Sequence, residues 1–284
     1  MDVKALVPLF IQISLTLIVG SVGMRSEWRD LRLALGQPRR LLRGIVAVNL
    51  VVPLAAILIV LVLPIDQPVK QGIVIMAVSP LAPLIPGRLL KAGADASVAV
   101  GLYFWLLVLA VAIVPLTVAL LGAVTAVDVF LPAGEIARLV FASVLAPLVA
   151  GMAIAAFLPR QAPMLAKIAG LLGNLMLLLF VAAILYLAGG QIVGLAEDGT
   201  LLACIVTVSA ALAGGHLLGG PGPLNKMALG IAAATRHPGI AVMIARSALD
   251  DRRVVLAVLL FLFVSLILSA IYQAWAMKRV PARD

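Results

Sequence analysis

The sequence predicts an all-α membrane protein that crosses the bilayer several times. The chain has 284 residues, of which 64% are hydrophobic and 12% charged, and its mean hydropathy is +1.22. Soluble domains are about half apolar and about a quarter charged. The apolar runs are continuous, which favours helices over the alternating strands of a membrane β-barrel. The cations lie between these runs, so the net charge of +9 indicates membrane topology and no nucleic-acid partner.

Nine apolar segments are predicted to cross the bilayer. Seven are uninterrupted, at about 5–24, 44–63, 97–121, 135–157, 164–188, 200–218 and 253–275. Two contain helix-breaking residues, at about 69–90 and 223–247. Arginine is enriched in cytoplasmic loops, so the arginine-rich stretch 25–43 predicts an outside N-terminus and a cytoplasmic C-terminus. The predicted location is the inner membrane of a bacterium.

The two interrupted segments contain the stretches SPLAPLIPG (79–87) and TRHPG (235–239). The predicted breakers are Pro80, Pro83, Pro86 and Gly87 in the first stretch, and Pro238 and Gly239 in the second. Proline removes a helical hydrogen bond and clashes with a carbonyl one turn earlier. The freed backbone groups cannot face lipid. Half-helix ends carry partial charges, so two such breaks that meet are predicted to form a site for an ion or an anionic substrate.

The two halves of the chain share a pattern at a shift of 155 residues. The shift places Pro83 on Pro238, and it also superimposes spans and two pairs of charged residues. Five spans separate equivalent points, and because this number is odd the two copies face opposite ways. The predicted first repeat is 1–124, with four spans and no opening helix, and the second is 125–284, with five spans. Inverted repeats with matching broken helices are typical of secondary transporters.

The sequence resembles the bile acid:sodium symporter superfamily. The resemblance is carried by GIVAVNLVVPL (44–54), SPLAPLIPGRLLKAGADASVAVGL (79–102) and ALGIAAATRHPGIAVMIA (228–245). It implies two inverted five-helix repeats, whose two broken helices cross in a core domain that lies beside a panel domain. It also implies that organic anions are moved together with sodium.

The sequence departs from this family's pattern at the sodium ligands. The family has a glutamine before a proline, a Ser–Asn pair, a glutamate and a second glutamine, and hydroxyls in the helix after the first break. The matching positions here are Asn49 (before Pro53), Leu84 and Ile85, Ala232 and Arg236, and the aliphatic run 98–102. A sodium site needs several hard oxygen ligands, so most of the implied site is missing.

Arg236 is a permanent cation within an apolar stretch. A charge near mid-membrane costs about 3 kcal/mol, so its side chain is expected to face the crossing of the broken helices. The guanidinium then replaces sodium or binds the anionic substrate, or else it is a structural arginine bound by carbonyls. His237 either carries a coupling proton or is hydrogen-bonded within the break. Thr235, Asn49 and Ser79 complete the predicted substrate- and ion-binding set.

The predicted function is secondary active transport of a small organic anion, with Arg236 in place of the sodium sites. Sodium coupling, proton coupling and uniport stay open, and a carrier of the auxin-efflux type is an alternative. A membrane sensor or scaffold without flux is the alternative from another class. The sequence lacks HExxH, paired intramembrane aspartates and haem ligands, so no enzyme is predicted. No cofactor or metal centre is predicted, and sodium is the only metal ion whose binding stays open.

Overall fold

The computed structural model describes residues 3–82, 85–86, 89, 97–124, 133–195, 199–248 and 251–280. These residues are helical except for short connections and one isolated β-bridge. The helices are α1 (Val3–Gly23), α2 (Trp28–Leu35), α3 (Pro38–Val46), α4 (Val52–Val62), α5 (Gln67–Val78), α6 (Tyr103–Val124), α7 (Ala133–Val140), α8 (Ala146–Phe157), α9 (Ala162–Leu195), α10 (Leu201–Leu218), α11 (Pro223–Ala234), α12 (Pro238–Ala248) and α13 (Arg252–Met277).

Six helical stretches of the described chain are long and apolar enough to cross a membrane. They are Pro38–Val62, Ala99–Thr117, Gly134–Phe157, Ala162–Ala183, Leu201–Leu218 and Arg252–Met277. Each coincides with a predicted uninterrupted span, which confirms an all-helical, multi-pass membrane protein. The helix that contains the span predicted at 44–63 begins six residues earlier, with Pro38 in its first turn, and continues through the arginines that follow. The remaining uninterrupted span corresponds to α1, which includes the apolar helix Leu9–Gly23.

Segments of π-helix lie next to several of these helices, among them Ala47–Val51, Ser97–Leu102 and Phe141–Leu145. Pro53 and Pro147 follow two of them, each in the first turn of the next helix. A proline ring clashes with the carbonyl one turn earlier, and a widened turn moves that carbonyl aside without ending the helix. The helix therefore continues past the proline, but one carbonyl is left without a backbone N–H donor.

Helical structure stops inside the bundle at two places. Helix α5 ends at Val78, and residues 79–82 are not helical. Helix α11 ends at Ala234, and α12 begins at Pro238. The two helices that precede a break both pack against α13, since α5 lies along it and α11 contacts both α13 and α10. Helix α13 therefore holds the two breaks in one place.

The start of α5 is fixed to the start of α13 by charged side chains. Arg253 pairs with Asp66 at 2.9 Å and with Asp251 at 2.9 Å. Asp251 caps α13 by accepting from the Arg253 N–H at 2.8 Å. The side-chain hydrogen bond from Arg253 also lowers the pKa of Asp251. These exposed pairs join the N-terminal end of α5 to α13, while the C-terminal end of α5 lies at the break.

The contact between α5 and α13 requires a residue without a side chain at position 72. A Cβ atom at Gly72 would lie 2.6 Å from the Val254 carbonyl oxygen and 2.7 Å from the Ala257 Cβ. We therefore expect Gly72→Ala to destabilise the protein by about 1–3 kcal/mol, because the backbone must shift. The measurement is reversible unfolding in mixed micelles.

The matched control is Gly190→Ala in α9. A Cβ atom at Gly190 has no neighbour within 4 Å, so the same substitution should be neutral or stabilising by up to about 1 kcal/mol. Equal effects of the two substitutions would contradict the close approach of α5 and α13.

Candidate functional site

The two helix breaks meet in the interior of the bundle. Leu81 and Arg236 face each other in an isolated antiparallel β-bridge. The backbone bonds of this bridge run from the Ala82 N–H to the Thr235 carbonyl (3.2 Å) and from the His237 N–H to the Pro80 carbonyl (2.8 Å). Backbone groups released by one break are thus satisfied by the other. We call residues 79–82 and 235–237 the crossing.

The Arg236 guanidinium is bound by two backbone carbonyls. Its Nη1 donates to the Ser79 carbonyl at 3.2 Å, and its Nη2 donates to the Val48 carbonyl. Ser79 is the C-cap of α5, so its carbonyl lies beyond the last helical hydrogen bond. The side chain of Arg236 is only 1% exposed. Arg236 therefore links the crossing to the π segment before α4.

The Val48 carbonyl needs a donor because of the proline that follows. In the π register, a carbonyl accepts from the residue five positions later, which for Val48 is Pro53. Proline has no N–H, so the guanidinium supplies the missing bond. Both acceptors carry partial negative charge, and this offsets part of the desolvation cost of a buried cation.

Two other groups at the crossing are satisfied by local caps. The Ser265 hydroxyl of α13 donates to the Ala234 carbonyl at the end of α11, at 2.7 Å. His237 is the residue before α12, and its Nδ1 accepts from the Ile240 N–H at 3.3 Å. This is the geometry of a helix N-cap. An accepting Nδ1 carries no proton, so the neutral ring carries its proton on Nε2.

Four side-chain atoms near the crossing are buried without a hydrogen-bond partner among the described residues. They are Asn49 Nδ2, Thr235 Oγ1, Arg236 Nε and His237 Nε2. Three are nitrogen donors and the fourth is a hydroxyl that can donate. Unpartnered buried polar groups are uncommon in native proteins. Two of these donors, Asn49 Nδ2 and Arg236 Nε, lie on the guanidinium side of the crossing and suit a ligand with acceptor oxygens.

An apolar pocket lies beside the crossing. Its lining includes Leu81, Ile85, Ala99, Tyr103, Ala228 and Ala232. Ile85 and Ala232 are two of the positions where the resemblance implies sodium ligands, and the fold brings them together. The only polar group that these six side chains supply is the buried, unpartnered Tyr103 hydroxyl. Hydrocarbon cannot coordinate a hard cation, so this lining does not form a sodium site.

The predicted binding residues fall into two groups. Arg236 and Ser79 share a hydrogen bond, and Asn49 follows the second carbonyl that binds Arg236. Thr235 and His237 flank Arg236 along the chain. Side chains alternate along an extended segment, so these two point away from the guanidinium.

The predicted breakers have different structural positions. Pro80 lies in the non-helical part of the crossing, Pro86 is in a helical turn, and Pro238 and Gly239 begin α12. Pro83, Leu84 and Gly87 lie outside the described residues.

The sequence interpretation missed two groups that bind the crossing from other helices, the Ser265 hydroxyl and the Val48 carbonyl. Ser265 lies in an apolar span without any distinguishing pattern. The Val48 carbonyl could not be found from sequence either, because Pro53 leaves it without a donor only in the π register, whereas in an α-helix the same proline would free the Asn49 carbonyl.

These features define a multi-pass, all-helical membrane protein in which the end of α5 meets the break between α11 and α12. The chain belongs to the sodium bile acid symporter family, whose model matches residues 12–195. The matched part includes Asn49 and Ser79 and ends before Arg236. No curated protein matches the chain at a significant level. The match confirms the family resemblance, and it makes the protein a membrane transporter of this family, which is not a family of enzymes.

The role of Pro53 can be tested with a double-mutant cycle. Arg236→Gln should destabilise the protein by about 2–4 kcal/mol, because charge-assisted bonds to two buried carbonyls are weakened or lost. In a Pro53→Ala background residue 53 regains an N–H that can donate to Val48. The cost of Arg236→Gln should then fall by about 1 kcal/mol, measured by reversible unfolding in mixed micelles.

Pro147 provides the matched control for this cycle. It also follows a π segment, but it lies in α8, which packs against α1. The effects of Pro147→Ala and Arg236→Gln should therefore add. If the effects of Pro53→Ala and Arg236→Gln add in the same way as those of the Pro147 cycle, Pro53 does not determine which carbonyl accepts from Arg236.

Proposed function

We propose that the protein is a secondary carrier of a small organic anion, in which Arg236 stands where a coupling sodium ion would bind. The observation that carries this proposal is the guanidinium held by the Val48 and Ser79 carbonyls at the crossing. Backbone carbonyls are common ligands of a hard cation, and here the cation is part of the chain. The unpartnered donors Asn49 Nδ2 and Arg236 Nε then favour an anionic substrate.

The bridge at the crossing supports two inverted repeats, 1–124 and 125–284. A shift of 155 residues relates Leu81 to Arg236, and these two residues pair with each other. The two backbone hydrogen bonds of the bridge are also related by this shift. The donors Ala82 and His237 are 155 residues apart, and so are the acceptors Pro80 and Thr235. A local two-fold axis through the bridge would produce this exchange.

A second contact fits the same relation. Ile18 of α1 and Gly173 of α9 are counterparts under the shift, and a Cβ atom at Gly173 would lie 2.7 Å from the Ile18 Cγ1. Helices α4 and α10 are also counterparts, and they pack together. Elements that contact their own counterparts are expected at a two-fold axis. An odd number of spans between counterparts then makes the repeats inverted, as in many secondary transporters.

Nine spans result when α5 is joined to the chain after its break and α11 is joined to α12. Helices α5 and α11 have 12 residues each, or about 18 Å, against about 30 Å for a bilayer core. Each therefore needs its second half to cross. The arginines of 25–43 support an outside N-terminus and a cytoplasmic C-terminus in a bacterial cell.

A cleft near the predicted cytoplasmic side offers a route for an anion. Arg40, Arg43 and Asn225 line this cleft, which shares Leu102 with the apolar pocket beside the crossing. Cations at the entrance attract an anion, and hydrocarbon further in accepts an apolar body. An amphipathic monoanion has both parts, and the bile acids in the family's description are of this kind.

The test is uptake into proteoliposomes of radiolabelled taurocholate and 1-naphthalenesulfonate, in sodium or choline buffer. Wild-type uptake should be saturable and equal in the two buffers. Arg236→Gln should reduce uptake about tenfold or more, because the crossing loses its cation. Arg236→Lys should retain more activity, because it keeps the charge.

The matched control is Arg138→Gln. Arg138 is an 81% exposed arginine whose partner is Glu135 at 3.5 Å, so this variant should transport like the wild type. Uptake that requires sodium would contradict the replacement of sodium, and normal uptake by Arg236→Gln would remove its role. Absence of saturable uptake would favour the sensor or scaffold alternative.

A further inference from the structure

The cation at the crossing cannot be exchanged with either side of the membrane. Arg236 is covalently part of the chain, and its guanidinium is bound by the Val48 and Ser79 carbonyls in the interior. A coupling ion delivers free energy only by binding from one bath and leaving to the other. If Arg236 replaces sodium, as proposed above, the sodium gradient has no group through which it can act at this position.

Among the described residues, the pocket beside the crossing offers no second position for a hard cation. Its lining near the crossing includes Leu81, Ile85, Ala99 and Ala232 together with Tyr103. A phenol is one neutral oxygen, whereas sodium-like cations require several oxygen ligands.

His237 is the other ionisable side chain at the described crossing, and its geometry opposes a proton-carrying role. Its Nδ1 accepts from the Ile240 N–H and caps α12. A second proton would have to enter at Nδ1, and this would replace the cap by two facing donors. It would also place a second positive charge on the residue next to Arg236, in a buried site.

We infer that the organic anion crosses without a coupling cation, so that each monoanion carries one net negative charge and the membrane potential drives its transport. The fixed charge of Arg236 moves out and back with the carrier and adds nothing over a complete cycle. A cell interior is electrically negative, so the potential drives the anion outward. The protein then operates as an exporter of amphipathic monoanions.

The experiment uses the wild-type protein in proteoliposomes with equal sodium and equal pH on both sides. Potassium gradients with valinomycin set the potential, and the probes are taurocholate and 1-naphthalenesulfonate, whose sulfonates stay charged at every working pH. A lumen-positive potential should accumulate each probe about tenfold for every 60 mV. The opposite potential should exclude each probe by the same factor.

Sodium and pH gradients at zero potential should cause no accumulation. A second measurement needs no substrate, because a folded state that binds sodium melts at a higher temperature in sodium chloride than in potassium chloride at equal ionic strength. We expect the two melting temperatures to be the same. A sodium-specific rise would overturn the inference.

The outcomes separate this inference from the proposed function. Uptake that follows a sodium or pH gradient, or that ignores the potential, leaves an anion carrier and overturns uncoupled transport. If neither probe is taken up under any gradient, the proposed function is wrong for this class of anion, and the inference is overturned with it.

Discussion

The structure depends on how the peptide groups are satisfied where α5 ends and where α11 gives way to α12. These groups lie in the buried interior, so each carbonyl that is freed there needs a donor from the protein. The β-bridge supplies two of these bonds from the breaks themselves. The carbonyls of Ser79 and Val48 lie outside the bridge, and one guanidinium supplies both of their bonds.

The two proposed repeats satisfy corresponding carbonyls with different chemistry. Ser79 and Ala234 are related by 155 residues. The Ala234 carbonyl accepts from the neutral hydroxyl of Ser265, whereas the Ser79 carbonyl accepts from the charged Arg236. The counterpart of Arg236 is Leu81, which lines the apolar pocket. The charge is thus confined to one side of the crossing, and the other side is hydrocarbon. An amphipathic ligand has the same division.

The helices and the positions of the breaks could be predicted from sequence because they depend on local features. Continuous apolar runs specify the spans, and proline with glycine specifies the interruptions. The partners of Arg236 could not be predicted in the same way, because a backbone carbonyl has no residue type. Its availability depends on whether a later residue donates to it, as with Val48 and Pro53. The N-cap role of His237 was also not predicted, because it depends on α12 beginning at the next residue, Pro238.

The location of the Arg236 bonds determines which motions they can accompany. The π segment with Val48 packs against α10 and α11, and α11 leads directly to Arg236. Helix α5, whose C-cap is Ser79, packs along α13 together with α11. Helices α1, α8 and α9 pack with one another, and they meet the first group where α9 contacts α13 and α1 contacts α12. A rearrangement between these two groups would leave all three bonded residues in the same body. The guanidinium would then be a permanent part of the crossing and not a gate, since a gate must break its bonds in each cycle.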